Sequence, residues 1–312
     1  SGTDGPHLLI IAGVHGDEFE PIVAVRRLWN ECHSMPIRGR LTLLPIVNEP
    51  AFHRGQRTAD DGLDLARTMP GRPDGSITEQ VAAALAPMIR EADYLIDLHT
   101  GGRLFRMLPL AGYGLHSDRA VLDKQRAMAR AFNLPIVWGT SGKFEGRTLS
   151  VARDSNVPAI YVEACGGSDF NAAAVDACAD GCVNVMALLG MIDRPAPPIP
   201  IELWGRLPAC QFRDRHWQAG SLPHSRVKHV VEDDREGSGH LQVQHPAPVA
   251  GFFEPLVELG DSIRTGQPLG RILGPFGEPL CDVPAADNGI VLFLRAVPGV
   301  SAGESLGGVL PI

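Results

Sequence analysis

Apolar and polar positions follow two different periods along the first part of the chain. Short runs of uninterrupted apolar residues are typical of strands that are buried on both faces of a sheet. Segments in which apolar residues recur every three or four positions are typical of helices. The predicted strands cover 8–12, 40–47, 94–99, 135–138 and 158–162, and the predicted helices cover 21–32, 77–91, 117–132, 148–155 and 169–191.

This order of elements predicts an α/β fold with a mostly parallel sheet and helices on both faces. Two predicted loops stand out by their composition. A long polar loop over 48–73 follows the carboxyl end of a strand, where the chemistry of open α/β sheets lies, so we expect it to be functional. A second loop, over 139–147, is rich in glycine, and we expect it to act as a lid.

The pattern changes after a proline-rich segment over 193–200, which predicts a stiff linker. Beyond this segment, short alternating runs and Gly/Pro turns predict strands with little helix. The segments 265–273 and 302–310 resemble each other, which suggests a small pseudo-symmetric barrel or sandwich. We therefore predict two domains. The first, over 1–195, would carry the hydrolase chemistry, and the second, over 201–312, would be a small C-terminal all-β domain.

Composition and charge disfavour several classes of protein. The net charge is −8 and no basic run is long enough to follow a phosphate backbone, which argues against nucleic acid as a partner. No apolar segment approaches the length of a membrane span, which argues against a membrane partner. The 6 cysteines form no Cys-x-x-Cys pair, which favours a reducing, cytoplasmic setting. The histidines between 216 and 245 are irregularly spaced, which favours a solvated loop or hairpin over a second metal site.

Polar side chains stand at the ends of three predicted strands. His15 and Glu18 follow the first strand, His99 ends the third, and Glu163 follows the fifth. Because the carboxyl ends of parallel strands meet at one edge of a sheet, we expect these side chains to lie together. Two imidazoles and one carboxylate are typical ligands of catalytic zinc. Asp97 points to the same face as His99, so it can orient that imidazole.

These motifs resemble the succinylglutamate desuccinylase/aspartoacylase family, whose members are relatives of zinc carboxypeptidases. The resemblance rests on Gly13-Val14-His15-Gly16-Asp17-Glu18, Asp97-Leu98-His99, Val162-Glu163, Arg57 and the segment 64–71. Within the family, Phe253-Glu254-Pro255 and Leu259-Gly260-Asp261 are similar to the bacterial branch that includes N-acetyl-diaminobutyrate deacetylases. The resemblance implies a zinc carboxypeptidase-like α/β fold followed by a β domain that resembles a barrel-sandwich hybrid.

The resemblance also implies roles for the residues at the strand ends. His15, Glu18 and His99 would bind one Zn²⁺ per chain. Glu163 would act as the general base and then as the general acid. Arg57 would polarise the scissile carbonyl of the substrate.

Further arginines are implied to bind substrate. Arg67 would hold a substrate carboxylate, but Ala66 stands where the family usually has Asn, which leaves recognition of a free α-carboxylate open. Arg147 would match a further substrate arginine, with Arg153 as the alternative. The family's late active-site tyrosine has no counterpart here, because no tyrosine follows Tyr161.

Residues and resemblance together predict a zinc-dependent amidohydrolase that removes the acyl group from an N-acylated amino acid or a related small amide. A small-molecule N-acyl substrate is the expected partner, and the formation of a homo-oligomer stays open. Two alternatives also stay open: a metallocarboxypeptidase on short peptides, and a non-catalytic metal-bound binding or sensor protein. Because sites of two histidines and a carboxylate accept several metals, the choice of zinc rests on ligand type and resemblance.

Overall fold

The computed structural model describes residues 4–167, 169–195 and 228–312 of the chain. Six helices are present in this part: α1 (Phe19–Cys32), α2 (Glu49–Arg54), α3 (Ile77–Arg90), α4 (Arg119–Phe132), α5 (Thr148–Asp154) and α6 (Ala172–Leu188). The strands are β1 (His7–Ile11), β2 (Arg40–Leu44), β3 (Tyr94–His99), β4 (Phe105–Met107), β5 (Leu110–Gly114), β6 (Ile136–Thr140), β7 (Ala159–Glu163), β8 (His229–Glu232), β9 (Gly251–Pro255), β10 (Ser262–Ile263), β11 (Pro268–Leu273), β12 (Pro279–Pro284), β13 (Gly289–Arg295), β14 (Gly299–Val300) and β15 (Gly307–Pro311).

A seven-stranded sheet forms the centre of the molecule, in the order β2-β1-β3-β7-β5-β6-β8. Neighbouring strands are parallel, except that β5 runs antiparallel to β7. None of the helices in the described ranges has the length and apolar character needed to cross a membrane. The predicted fold class, a mostly parallel sheet with flanking helices and an additional β region, is confirmed.

Alternate residues of the central strands enter two separate cores. Leu8 and Ile10 of β1 face a core that contains residues of α1, α4 and α6, whereas Leu9 and Ile11 face a core with residues of α3 and α5. All four side chains are completely buried. This explains the uninterrupted apolar run of the sequence, because a strand covered on both faces has no solvent-facing positions.

The C-terminal region forms two antiparallel four-stranded sheets. One has the order β10-β13-β15 with β4 paired to β13, and the other has the order β12-β11-β9-β14. Strand β8, from the same half of the sequence, instead pairs in parallel with β6 of the central sheet. Each half of the sequence therefore supplies a strand to a sheet built mainly by the other half. The division into domains 1–195 and 201–312 stays a prediction.

Several details differ from the sequence-based predictions. The predicted loop 48–73 contains helix α2, whose first turn is capped by Asn48 through a hydrogen bond from Ala51 N. It also contains a short 3₁₀ turn at Leu65–Arg67. Strands β4, β5 and β8 were not predicted. His229 of β8 is buried rather than part of a solvated loop. The predicted linker beyond residue 195, Cys210, His216 and His224 lie outside the described residues.

Candidate metal centre and active site

The turn after β1 is fixed by close backbone packing, which sets the position of His15. Gly13 adopts a positive φ of 65°, a conformation that suits glycine. At Gly16 a Cβ atom would lie 2.0 Å from the carbonyl carbon of Ala51 in α2. The Gly16 amide donates a hydrogen bond of 3.0 Å to the carbonyl of Gln56. The glycines of the sequence motif thus allow helix α2 to pack directly against the turn.

His15, Glu18 and His99 converge because β1 and β3 are neighbours in the sheet. Nδ1 of His15 lies 2.7 Å from Oε1 of Glu18, and Nδ1 of His99 lies 3.0 Å from Oε2 of Glu18. One donor atom from each of the three residues lies within 4.8 Å of the others. All three side chains are buried, with less than a tenth of each residue's surface exposed.

The outer nitrogen of each imidazole contacts a second carboxylate. Nε2 of His15 lies 3.1 Å from Oδ1 of Asp64, and Nε2 of His99 lies 3.0 Å from Oδ1 of Asp97. Asp97 in turn accepts a hydrogen bond from the Thr148 hydroxyl. A carboxylate at Nε2 favours the tautomer whose Nδ1 lone pair faces inward. The sequence predicted this role for Asp97 but not for Asp64.

The charges of the cluster stabilise one another. Burial alone would raise the pKa of Glu18, but the imidazoles of His15 and His99 outweigh burial and lower that pKa well below its usual value. Burial would likewise lower the pKa of His99, but the carboxylates of Asp97 and Glu18 outweigh burial and raise it. The Glu18 carboxylate therefore stays ionised between the two imidazoles, and one carboxylate beside two imidazoles is a donor set that suits a metal cation.

Arg57 is held beside the cluster by Asp64. Its Nε and Nη2 atoms donate hydrogen bonds of 3.1 and 2.9 Å to Oδ2 of Asp64, and Nη1 lies 4.0 Å from Oε1 of Glu18. Burial would lower the pKa of Arg57, but the carboxylate of Asp64 outweighs it and keeps the guanidinium charged. Asp64 thus contacts both His15 and Arg57, and fixes their relative positions.

Glu163 ends β7, in register with His99 on the neighbouring strand. Its Oε2 atom is buried and has no hydrogen-bond partner among the described residues. Burial is the main cause that raises the pKa of Glu163 to about 8, and the charge of Glu18 also raises it. The charges of His99 and Arg57 lower this pKa but do not outweigh burial. A carboxyl group with a pKa near neutrality can both accept and return a proton at physiological pH.

Arg67 and Arg147 line the same cavity as His15, His99 and Glu163, a space of about 520 Å³ that is open to solvent. Among the described residues, neither guanidinium has a carboxylate within ion-pair distance. The Cζ atom of Arg147 lies 3.8 Å from the centre of the Phe144 ring, and its Nε is buried without a partner. Burial and then the charge of Arg67 lower the pKa of Arg147 to about 10.

Arg153 lies outside this cavity. Its Nη1 atom donates to the carbonyls of Gly142 and Phe144 at 2.7 and 3.0 Å, and its charge is paired with Glu145 and Asp154. Of the two candidate substrate arginines, Arg147 is therefore the one that faces the cluster. Because this difference depends on how the loop 139–147 folds, sequence spacing alone did not reveal it.

The C-terminal half of the sequence completes the cavity. Gly239, Leu241 and Gln242 line its wall opposite the strand ends. Ser238 accepts a hydrogen bond from the amide of Ser141 at 2.8 Å, which attaches this segment to the glycine-rich loop. Leu241 and Gln242 were not predicted as site residues, because no sequence motif marks a segment that reaches the site only through tertiary packing. Tyr161 also lines the cavity, from strand β7.

Comparison with known families matches residues 4–189 to the Succinylglutamate desuccinylase/Aspartoacylase catalytic domain. The match spans more than half of the chain, and the chain belongs to this family. The N-alpha-acetyl-L-2,4-diaminobutyric acid deacetylase of Halomonas elongata is 26% identical over 313 residues, covering 97% of this chain and 81% of the relative. A succinylglutamate desuccinylase of Burkholderia lata is 36% identical over 124 residues, 34% of each chain.

Solved structures show the same fold. A succinylglutamate desuccinylase/aspartoacylase from Rhodobacter sphaeroides aligns with a TM-score of 0.79 and 26% identity, covering 99% of this chain and 86% of that one. The product-bound ectoine utilization protein EutE (DoeB) from Ruegeria pomeroyi aligns with a TM-score of 0.82 and 24% identity, covering 100% of this chain and 87% of that one. The predictions of the family and of an enzyme that hydrolyses linear amides are confirmed.

Proposed function

We propose that the protein is a zinc-dependent amidohydrolase that removes the acyl group from an N-acylated amino acid or a related small amide. The observation that carries this proposal is the buried Oε2 of Glu163, which has no hydrogen-bond partner in the part of the chain that the structure describes and lies beside the cluster of metal-binding candidates. A site that only binds a ligand has no need of a buried carboxyl group with a pKa near neutrality. The name of the Halomonas relative supports an N-acyl amino acid as the substrate.

The donor set fits a zinc ion. Two inward-facing imidazole nitrogens and one carboxylate leave a further coordination position for water or substrate, and Asp64 and Asp97 hold the outer nitrogens. His15, Glu18 and His99 would hold one Zn²⁺, which would supply Lewis-acid polarisation and a water of lowered pKa. The identity of the metal rests on this donor chemistry and on the family.

Glu163 carries the proton in the proposed reaction. Its carboxylate accepts a proton from the attacking water, and the resulting acid returns that proton to the nitrogen of the leaving amine. Proton transfer by a positioned side chain is typically worth about 10²–10⁴ in rate. Because no described residue makes a competing hydrogen bond to Oε2, this oxygen is placed to make the transfer.

Arg57 stabilises negative charge on the carbonyl oxygen of the substrate as the tetrahedral intermediate forms. Its guanidinium is fixed by Asp64 before substrate arrives, so little reorganisation accompanies the reaction. Removing one such donor typically costs about 10²–10³ in turnover. Arg67 and Arg147, which lack carboxylate partners within the described part of the chain, position the substrate by binding its carboxylate.

The proposal is tested by metal content and by release of free amine from N-acetyl, N-succinyl and N-aspartyl amino acids and their α-amides. We expect about one zinc per chain and cleavage of at least one of these compounds. The variant Glu163→Gln should keep its zinc and lose turnover by about 10³. Near-native turnover in this variant would show that Glu163 is not the base.

The control for this substitution is Glu145→Gln, which makes the same change on the exposed part of the glycine-rich loop. It should retain both zinc and turnover. Cleavage of short peptides in preference to acyl amino acids would favour the metallocarboxypeptidase. Zinc binding without cleavage of any compound would favour the binding or sensor protein.

A further inference from the structure

Gln242 reaches the candidate active site from the C-terminal half of the sequence. Its Oε1 atom accepts a hydrogen bond of 2.6 Å from Nη2 of Arg67. Because a guanidinium only donates, this contact identifies the oxygen of the amide and turns its Nε2 group away from Arg67. Within the described ranges Nε2 has no hydrogen-bond partner, and Gln242 lines the cavity that contains His15, His99 and Glu163.

Arg67 depends on few contacts for its position. Besides Gln242, its guanidinium donates a hydrogen bond of 2.6 Å to the carbonyl of Ala66. The side chain of Ala66 is a methyl group, so the neighbouring position supplies no polar group. Gln242 is therefore the side chain that orients Arg67, and it does so without neutralising its charge.

We propose that Gln242 is a specificity-determining residue that selects substrates with a free carboxylate. Its Oε1 atom holds Arg67, and its Nε2 group donates a hydrogen bond to the same carboxylate that Arg67 binds. The inference rests on the proposed function, since it concerns the carboxylate of that substrate. An amide suits this double role, because it accepts from one neighbour and donates to the other.

A carboxylate at position 242 would keep the contact with Arg67 but reverse the effect on the substrate. It could still accept a hydrogen bond from Arg67, but its charge would neutralise the guanidinium. Its second oxygen would replace Nε2 and would repel a substrate carboxylate. An alanine would remove the hydrogen bonds without adding charge. The two substitutions therefore separate the loss of a contact from the introduction of repulsion.

The test compares two ligands that differ only at the carboxyl group, N-acetyl-L-2,4-diaminobutyrate and its α-carboxamide. Dissociation constants are measured by calorimetry on zinc-loaded protein in the Glu163→Gln background, and kcat/KM is measured in the otherwise native chain. We expect the dissociation constant of the carboxylate ligand to rise about 10-fold in Gln242→Ala and about 100-fold in Gln242→Glu, as for hydrogen bonds to charged groups. The carboxamide ligand should change by less than about 3-fold.

Two further variants show whether the effect belongs to this amide. Gln242→Asn keeps the amide on a shorter side chain and should restore part of the preference for the carboxylate. Gln244→Glu makes the same charge change two residues along, at a position that does not line the cavity, and it should leave the preference unchanged.

Equal weakening of both ligands in the Gln242 variants would overturn the inference, because it would show a purely structural role. Unchanged binding of both ligands would also overturn it. Binding of the carboxylate ligand without cleavage by the native chain would refute the proposed function but leave the ligand comparison valid. Failure of both ligands to bind would overturn the two proposals together.

Discussion

Asp64 joins the proposed metal ligand His15 to the proposed carbonyl-binding group Arg57. One of its carboxylate oxygens lies 3.1 Å from His15 Nε2, and the other accepts both hydrogen bonds from Arg57. Burial would raise the pKa of Asp64, but the contacts with His15 and Arg57 outweigh it and lower that pKa far below its usual value. Asp64 therefore stays ionised, and its charge is shared between the two neighbours.

We expect the substitution Asp64→Asn to weaken zinc binding by about 10–100-fold, because the outer nitrogen of His15 loses its anionic partner. Turnover at saturating zinc should fall as well, since Arg57 loses the carboxylate that holds it. Zinc affinity is measured by competition with a chromogenic chelator. The control is Asp60→Asn, an exposed position in the same loop. Equal zinc affinity of Asp64→Asn and the native chain would contradict the role given to Asp64.

The candidate site shows which residues sequence patterns can indicate. Four of these residues lie at or just after the carboxyl ends of strands: His15, Glu18, His99 and Glu163. The geometry of a parallel sheet brings those ends together whatever the loops do. Their roles stay predictions. Asp64, by contrast, enters through a loop, and Gln242 enters from a distant segment. Neither position follows from strand order, so their contacts became visible only with the tertiary structure.

At the scale of elements, strongly periodic helices and the strands with long apolar runs were predictable. The buried strand β5 was not, because two of its five residues are glycine. Helix α3 begins at Ile77, directly after Ser76, whose amide donates a hydrogen bond of 2.8 Å to the carboxylate of Glu79. Strand β4 has only three residues and is too short to show a period. Strand β8 lies among charged residues, and its place beside β6 is determined by pairing rather than by its own pattern.

Asp61 ties the polar loop after β2 to the first turn of α3. Its carboxylate accepts hydrogen bonds from the Ser76 hydroxyl at 2.7 Å and from the amide and hydroxyl of Thr78 at 2.9 and 2.8 Å. Burial would raise the pKa of Asp61, but these hydrogen bonds outweigh it and lower the pKa to about 2. The loop that carries Asp64 is thereby fixed at a second point.

The lowered pKa predicts how this attachment depends on pH. Because the pKa is lower in the folded than in the unfolded chain, its stabilising effect is complete above the unfolded value of about 4 and is lost as the pH falls towards 2. We expect Asp61→Asn to lower the free energy of unfolding at pH 7, with a difference from the native chain that shrinks below pH 4. Urea unfolding at pH 7, 5, 4 and 3 measures this difference.

A variant at an exposed aspartate nearby, Asp74→Asn, controls for the change in net charge. It should show no comparable pH dependence. A difference between Asp61→Asn and the native chain that stays constant down to pH 3 would mean that the carboxylate charge of Asp61 does not contribute to the attachment.

At the scale of the whole molecule, the proposed metal links several separate parts of the chain. The three candidate ligands come from the turn after β1, the start of α1 and the end of β3. A ligand that binds only the folded chain adds RT ln(1 + [L]/Kd) to its stability, about 2.7 kcal/mol at a hundredfold excess over Kd. Zinc should therefore stabilise the entire fold and not only the site.

We expect the free energy of unfolding to fall by about 2–3 kcal/mol when zinc is removed with a chelator and to recover when zinc is restored. Urea unfolding with and without zinc measures the effect. In His99→Ala the response to zinc should be lost. The control is His116→Ala, a half-buried position before α4 that does not line the cavity, and it should respond like the native chain. Equal stability with and without zinc in the native chain would argue against a tightly bound metal.

The exchange of strands between the two halves of the sequence has a consequence for how the protein is made. A ribosome releases β4 and β6 early, but their partners β13 and β8 lie much later in the chain. Until residue 232 has emerged, the edge of β6 has exposed amides and carbonyls that can pair with other nascent chains. The central sheet can therefore be finished only after β8 has left the ribosome, and until then β6 is an unpaired edge of that sheet.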